Sequence, residues 1–236
     1  MQIQAANYII GFGVDYYSTL SQLINDKKYS KIVLLVDENT AQHCLNYVLQ
    51  WLAVDVTFEI IEIEQGEENK TVETCTAVWE SLVELNIDRK ALLINVGGGM
   101  VCDLGGFVAS TYKRGIDFVN IPTSLLAMVD ASVGTKTGVN LGGLKNMVGS
   151  FSQPQMVLID TAFLETLPGN QMRSGLAEMF KHGLIADKSY WNQLKNLGEL
   201  TTEDLLLLIY HSVSIKNEIV LQDPFEENVR KILNFG

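Results

Sequence analysis

The chain has 236 residues, 47% of them hydrophobic, with 19 glycines and only 4 prolines, a globular composition able to bury one large core or two small ones. Its formal net charge of −11 disfavours nucleic acid and anionic membrane as partners. Cys44, Cys75 and Cys102 are odd in number and without a CxxC pair, which favours reduced thiols in a cytoplasmic protein over a disulfide framework. The opening MQIQAANYII lacks the basic region and cleavage site of a secretion signal, and no apolar run reaches the roughly 18 residues of a membrane-spanning helix.

Short β-branched runs alternate with longer amphipathic ones. KIVLLVD (31–37), VTFEIIEIE (56–64), ALLINV (91–96), FVNIP (118–122) and MVLID (156–160) are bounded by turn-formers and read as strands. Several are nearly all apolar, as strands buried on both faces of a parallel sheet are. Segments 40–52 and 70–86 carry apolar residues at three- and four-residue spacing and read as helices. The alternation predicts an α/β fold, with a Rossmann-like parallel sheet domain over 1–169. From Gln171 onward only helical patterns remain, at 171–186, 189–197, 202–221 and a last one opening near Glu226. Thr201 with Asp204 is a capping signal for the third of these. An all-helical domain, incomplete over 170–236, is therefore expected after a boundary near Pro168–Gln171.

INVGGGMVCDLGGFVASTYKRG (94–115) sets three glycines between a strand end and a helix-like stretch. Glycine there lets the backbone approach a ligand, and a helix N-terminus offers unpaired N–H groups to a phosphate, although a tight turn needs the same residues. The dinucleotide fingerprint GxGxxG is not met, because Cys102 stands at its third glycine. VDASVGTKTGVNLGGLKNMVGSF (129–151) is a second glycine-rich stretch. Its GTKT is no Walker A loop, since Thr135 precedes Lys136 where glycine is required. From Leu104 to Ser150 the basic residues Lys113, Arg114, Lys136 and Lys145 outnumber the acidic Asp117 and Asp130, which reverses the charge of the whole chain. With Asn146, that reversal suits an anionic small molecule better than it suits a plain surface loop. In RSGLAEMFKHG (173–183), Glu178 and His182 stand four apart on one helix face, open to metal ligation or to an ordinary surface pair.

GGGMVCDLGGFVASTYKRG, IPTSLLAMVDASVGTKTGVN, LKNMVGSFSQPQMVLID and LPGNQMRSGLAEMFKHG, in that order, closely resemble the 3-dehydroquinate synthase family, the shikimate-pathway branch of the sugar phosphate cyclases. The resemblance runs from about Gly66 to Gly236, and the first 60 residues match only in general pattern. It implies a lyase dependent on NAD⁺ and a divalent metal, zinc or cobalt, which converts 3-deoxy-D-arabino-heptulosonate 7-phosphate to 3-dehydroquinate and phosphate. The implied route is transient oxidation of a carbinol, phosphate elimination, reduction, ring opening and intramolecular aldol closure.

Position by position, the resemblance implies that Asp37, Glu67 and Lys70 contact the adenosine half of NAD⁺. It assigns Gly98, Gly99, Asp103, Thr123, Ser124 and Lys145 to the pyrophosphate and nicotinamide half, with Phe163, Thr166 and Leu167 as further cofactor contacts. Gln171 departs from the acid that many members carry. Asp130 resembles the residue holding the hydroxyls near the reacting carbon; Lys136, Arg230 and Asn234 the group around the substrate carboxylate; Lys216 a further hydroxyl contact. Asn146 and Lys181 resemble phosphate ligands, and Arg114 an arginine lent by a neighbouring subunit, which implies a homodimer. Glu178 matches the family's carboxylate metal ligand, whereas His182 stands at a non-ligand position, and His43 and His211 are expected to be ordinary helix residues. The family's two histidine ligands belong to an LNFGHTxGHA-type segment whose first four letters are Leu233 to Gly236, so both are expected after Gly236.

Other readings keep the motifs. Related cyclases act on sedoheptulose 7-phosphate or glucose 6-phosphate, which lack the carboxylate that Lys136, Arg230 and Asn234 would meet. Metal-dependent alcohol and glycerol dehydrogenases share a two-domain architecture but not the VDASVGTKTGVN segment, and would accumulate NADH. An NAD-binding fragment without turnover is the third alternative.

Overall fold

The structure, a computed structural model, describes residues 1–198 and 201–235. Alternating apolar residues dictate its central sheet. In β3 (Ile32–Asp37), Ile32, Leu34 and Val36 enter one apolar cluster while Val33 and Leu35 enter another on the opposite face. The same two-sided burial holds for β5 (Leu92–Gly97), and β6 (Asp117–Pro122) lies beside it. With β1 (Gln2–Gln4), β2 (Ile9–Phe12), β4 (Phe58–Ile63) and β9 (Met156–Ile159) they form a seven-stranded sheet in the order β1-β2-β9-β6-β5-β3-β4. All neighbours are parallel except β1, which runs antiparallel to β2.

Helices cover both faces. α1 (Tyr16–Lys27) follows β2, α2 (Glu38–His43) and α3 (Leu45–Trp51) follow β3, α4 (Val72–Glu84) follows β4, and α5 (Gly99–Thr111) follows β5. The single helix expected over 40–52 is two short ones: it starts earlier, at Glu38, because Asp37 caps it as soon as the strand ends, and it is interrupted at Cys44, whose φ of −119° departs from regular helical geometry. The opening strands and α1 have no counterpart in the sequence reading. The glycine-rich stretch 129–151, expected as a ligand loop, is a π-helical turn over 127–131 followed by an antiparallel hairpin of β7 (Lys136–Leu141) and β8 (Leu144–Phe151).

After β9 come α6 (Gly169–Ala186), α7 (Lys188–Lys195) and α8 (Thr202–Gln222), and the described residues there include no strand. Thr201 and Asp204 form the expected capping box at the start of α8. The last helix expected near Glu226 is a 3₁₀ segment, Val229–Asn234. Met179, Tyr190, Leu194, Leu208, Ile209 and Val213 bury their side chains in the cluster that covers one face of the sheet, which seats these helices on the strand ends. No helix among the described residues is long and apolar enough to cross a membrane.

Candidate active site

Strand β3 leads through α2 and α3 to β4 on one side, while β5 leads through α5 to β6 on the other. The chain thus reverses direction between β3 and β5, and a crevice opens at their carboxyl ends, the usual ligand position in such sheets. Asp37 lies there as the cap of α2, its Oδ1 accepting from Thr40 N at 2.8 Å. Glu67 and Lys70 follow β4 on a short 3₁₀ turn. Gly98 and Gly99 follow β5 at the head of α5, where the first-turn N–H groups have no intrahelical partner. A Cβ at Gly97 would lie 2.4 Å from Val101 Cβ, so the loop has to stay bare. Thr123, whose N donates to Gly97 O at 3.0 Å, and Ser124 follow β6. Phe163, Thr166 and Leu167 follow β9, with the Phe163 ring buried edge-on against Tyr47. Lys145 is exposed on β8, 3.8 Å from Glu67 Oε1.

A cleft of about 510 Å³ adjoins these loops, lined by Asp103, Asp130, Lys136, Asn146, Lys216, Arg230 and Asn234 among others. Asp130 sits on the π-helical turn, a distortion that often marks functional positions. Lys216, buried on α8, donates to its Oδ1 at 2.5 Å and also to its carbonyl. Burial alone would raise the Asp130 carboxyl, but the Lys216 ammonium, with smaller pulls from Lys181 and His182, holds the group below the usual carboxylate range. Burial, then the Arg230 and Lys216 charges, push the Lys136 ammonium below its ordinary value. Arg230 is buried, donating from Nη1 to Pro224 O at 2.5 Å and from its backbone N to Asp223 Oδ2 at 3.0 Å. Gly134, at φ +116°, makes room for it: a Cβ there would meet Arg230 Nη2 at 3.0 Å.

Glu226 occupies the middle of this cationic group. It pairs with Lys136, accepts from Asn234 Nδ2 at 2.5 Å, and lies in the left-handed region at φ +59°. The sequence reading missed it, because Glu226-Glu227 looks like an ordinary solvated acidic step. On the opposite wall, Asp103 pairs with Lys70 at 2.6 Å, and burial nonetheless pushes its carboxyl up to about 6.

Glu178 and Lys181 border an adjoining hollow with Leu233, Asn234 and Phe235. Lys181 pairs with Glu178 and donates to Leu233 O at 2.5 Å, so this lysine is turned from the cleft toward the end of the described chain. His182 is wholly buried, its Nδ1 2.7 Å from Ser212 Oγ. Its Nε2 has no hydrogen-bond partner among the described residues, and ligand atoms of Asp130, Glu178 and His182 lie within 4.8 Å of one another. Carboxylate oxygens with an uncommitted imidazole nitrogen fit a divalent ion such as zinc or cobalt. The sequence reading assigned Glu178 alone to the metal; the structure adds His182 and Asp130 beside it. Arg114 is exposed at φ +69° beyond α5 and does not line the cleft. His211 bonds Asp187 at 2.9 Å and stacks on Tyr190, and His43 is exposed at the end of α2.

Fold and cleft together define a parallel α/β protein with a bare glycine loop beside a cleft lined by paired lysine, arginine and carboxylate side chains. Comparison with known proteins gives the family. Residues 60–174 match the family described as 3-dehydroquinate synthase N-terminal, and residues 175–236 match 3-dehydroquinate synthase C-terminal. A 3-dehydroquinate synthase from Parabacteroides distasonis is 42% identical over 224 residues, covering 94% of this chain, which spans only 63% of that relative's length. A solved 2-epi-5-epi-valiolone synthase from Streptomyces hygroscopicus, with NAD⁺ and Zn²⁺ bound, superimposes with a TM-score of 0.87 at 27% identity, over 99% of this chain and 66% of its own. A 2-deoxy-scyllo-inosose synthase complexed with carbaglucose-6-phosphate, NAD⁺ and Co²⁺ gives 0.89 at 24% identity, over 100% and 68%, a likeness of fold. The chain belongs to the 3-dehydroquinate synthase family.

Proposed function

We propose that this chain carries the cofactor and substrate sites of a 3-dehydroquinate synthase, a lyase converting 3-deoxy-D-arabino-heptulosonate 7-phosphate to 3-dehydroquinate and phosphate. The observation that carries the reading is the cleft, where Asp130, Lys136, Asn146, Lys216, Arg230 and Asn234 converge beside the bare glycine loop. NAD⁺, held by the loops that carry Asp37, Gly98, Gly99, Thr123, Ser124 and Phe163, would supply reversible hydride exchange, and a zinc or cobalt ion, held by Glu178 beside Asp130 and His182, would supply Lewis acidity. Lys136, Arg230 and Asn234 bind the substrate carboxylate, with Glu226 giving way to it. Asp130, kept ionised by Lys216, holds the hydroxyls next to the reacting carbon. Asn146 binds the phosphate, and Lys181 joins it by turning from Leu233 O into the cleft, so that donors at both anionic ends fix one orientation. Lys136, Arg230 and Asn234, which Glu226 bridges in part here, offer a carboxylate a matched set of donors, which favours this substrate over sugar phosphates without a carboxylate.

Arg114, exposed and outside its own cleft, supports a homodimer in which each protomer lends this arginine to its partner's phosphate site. Three buried cysteines, free among the described residues, and the acidic net charge support a cytoplasmic small-molecule enzyme. The test is incubation of the protein with NAD⁺, Zn²⁺ and heptulosonate phosphate. Phosphate should be released with no net NADH, and sedoheptulose 7-phosphate should not turn over. Accumulating NADH would mark a dehydrogenase and overturn the reading.

A further inference from the structure

Lys70 lies one layer behind the cleft. Its side chain is only 4% exposed and does not line the cavity, yet both groups it bonds do. Its Nζ donates to Asp103 Oδ2 at 2.6 Å and to Asn146 Oδ1 at 2.7 Å. Asp103 stands on α5 just past the glycine loop; Asn146 stands on β8 with φ +54°, a left-handed conformation that asparagine tolerates better than most residues. The backbone around Lys70 grips the same hairpin. Asn140 N donates to Lys70 O at 2.8 Å, Asn140 Nδ2 donates to Glu67 Oε1 at 3.1 Å, and Asn146 N donates to Asn140 Oδ1 at 2.9 Å.

An amide side chain can present either its oxygen or its NH₂ group, and a lysine ammonium, having no acceptor, can take only the oxygen. With Oδ1 committed to Lys70, Asn146 has its Nδ2 donors left for the cleft, the polarity an anion requires. We propose that Lys70 is a positioning residue that fixes Asn146 as an N–H donor toward the substrate's phosphate. By bonding Asp103 with the same ammonium, it also ties the cofactor loop to that phosphate subsite. The inference rests on the cleft being a sugar phosphate site.

A double-mutant cycle tests it, with inorganic phosphate as the probe and calorimetry on the NAD⁺-saturated protein. Lys70→Met and Asn146→Ala should each weaken phosphate binding about tenfold, the worth of one hydrogen bond to a charged group. The cycle is run with Asp103→Asn throughout, so that the Lys70–Asp103 pair drops out; the double variant should then bind no more weakly than Asn146→Ala alone, because toward the anion Lys70 acts through Asn146. Lys70→Arg, which keeps a donor to the amide oxygen, should recover most of the loss. Asp103→Asn also removes the carboxylate that Lys70→Met would otherwise leave unpaired. Losses that add in the double variant would mean that Lys70 meets the anion itself, and an unaltered affinity in Lys70→Met would mean that Asn146 needs no such support; either overturns the proposal. Wild-type protein that binds no phosphate would overturn the reading of the cleft as well, which separates the two failures.

Discussion

The Nε2 of His182 lies 3.4 Å from Oε1 of Glu178, one helical turn back on α6. A wholly buried imidazole whose other nitrogen is held by Ser212 is a rigid support for an ion placed between it and the neighbouring carboxylate. His182→Ala is therefore expected to weaken zinc binding by about 10- to 100-fold, the usual cost of losing such a support. Competition against a chelating dye would measure it, and an unchanged affinity would remove His182 from any part in holding the metal.

Asp103 gives a pH dependence of known sign. Burial pushes its folded value up to about 6 against the pull of Lys70, so the folded chain holds this proton more tightly than the unfolded chain. The group favours folding below about pH 4, and that contribution is lost as pH rises through about 6. Carbon-13 titration of labelled aspartate should give a midpoint near 6 for this residue. In Lys70→Met the midpoint should move upward, because the cation favouring the carboxylate is gone; a downward move would contradict the pairing.

Much of this was legible in the sequence, for physical reasons that differ between segments. The central strands announce themselves because residues such as Val33 and Leu34 are buried on opposite faces, leaving runs with hardly a polar residue. The hairpin of β7 and β8 does not, since β8 is largely exposed and its apolar pattern is broken by Gly149 and by Lys145 and Asn146. The candidate substrate residues Asp130, Lys136 and Arg230 were identified through a family resemblance, and only the fold brings them into one cavity. Glu226 and the roles of His182 and Lys70 were not legible, because each depends on a partner far off in sequence or on a left-handed backbone turn.

Lys216 and Asp130 form a pair whose two halves are unequally buried: the lysine side chain is 7% exposed and the aspartate 36%. Removing the lysine leaves a carboxylate with partial access to water, so Lys216→Met should cost about 2–3 kcal/mol, less than a fully buried pair would. Because the Asp130 value is depressed in the folded chain, the pair's stabilisation is present above about pH 4 and is lost as pH falls through the folded value. Urea unfolding of both proteins at pH 7 and at pH 3 would measure this. The gap between them should shrink at the lower pH.

Glu226 lies between Lys136 and Asn234, the groups proposed to receive the substrate carboxylate. Neutralising it removes an internal competitor while sparing the donors. Glu226→Gln is expected to tighten binding of heptulosonate phosphate about three- to tenfold, within the worth of a partly exposed ion pair. Binding of a sugar phosphate without a carboxylate should stay as it was. Calorimetry with both ligands decides, and equal changes for the two would show that Glu226 does not compete for the carboxylate position.

Gly175 connects the packing of α6 to the geometry of the metal position. A Cβ at this glycine would stand 2.4 Å from Leu125 Cγ and 2.7 Å from Leu126 N, and a backbone nitrogen cannot turn aside as a side chain can. Gly175→Ala therefore has to push α6 away from the loop after β6, at an expected cost of about 1–3 kcal/mol by overpacking. Glu178 stands one turn further along the same helix, whereas Asp130 belongs to the turn that α6 would leave behind. The substitution should thus lower zinc affinity together with stability, although Gly175 reaches neither carboxylate. Urea unfolding and dye competition on the same variant separate the two effects: a protein that loses stability but keeps its zinc affinity would mean that the position of Glu178 does not depend on this contact.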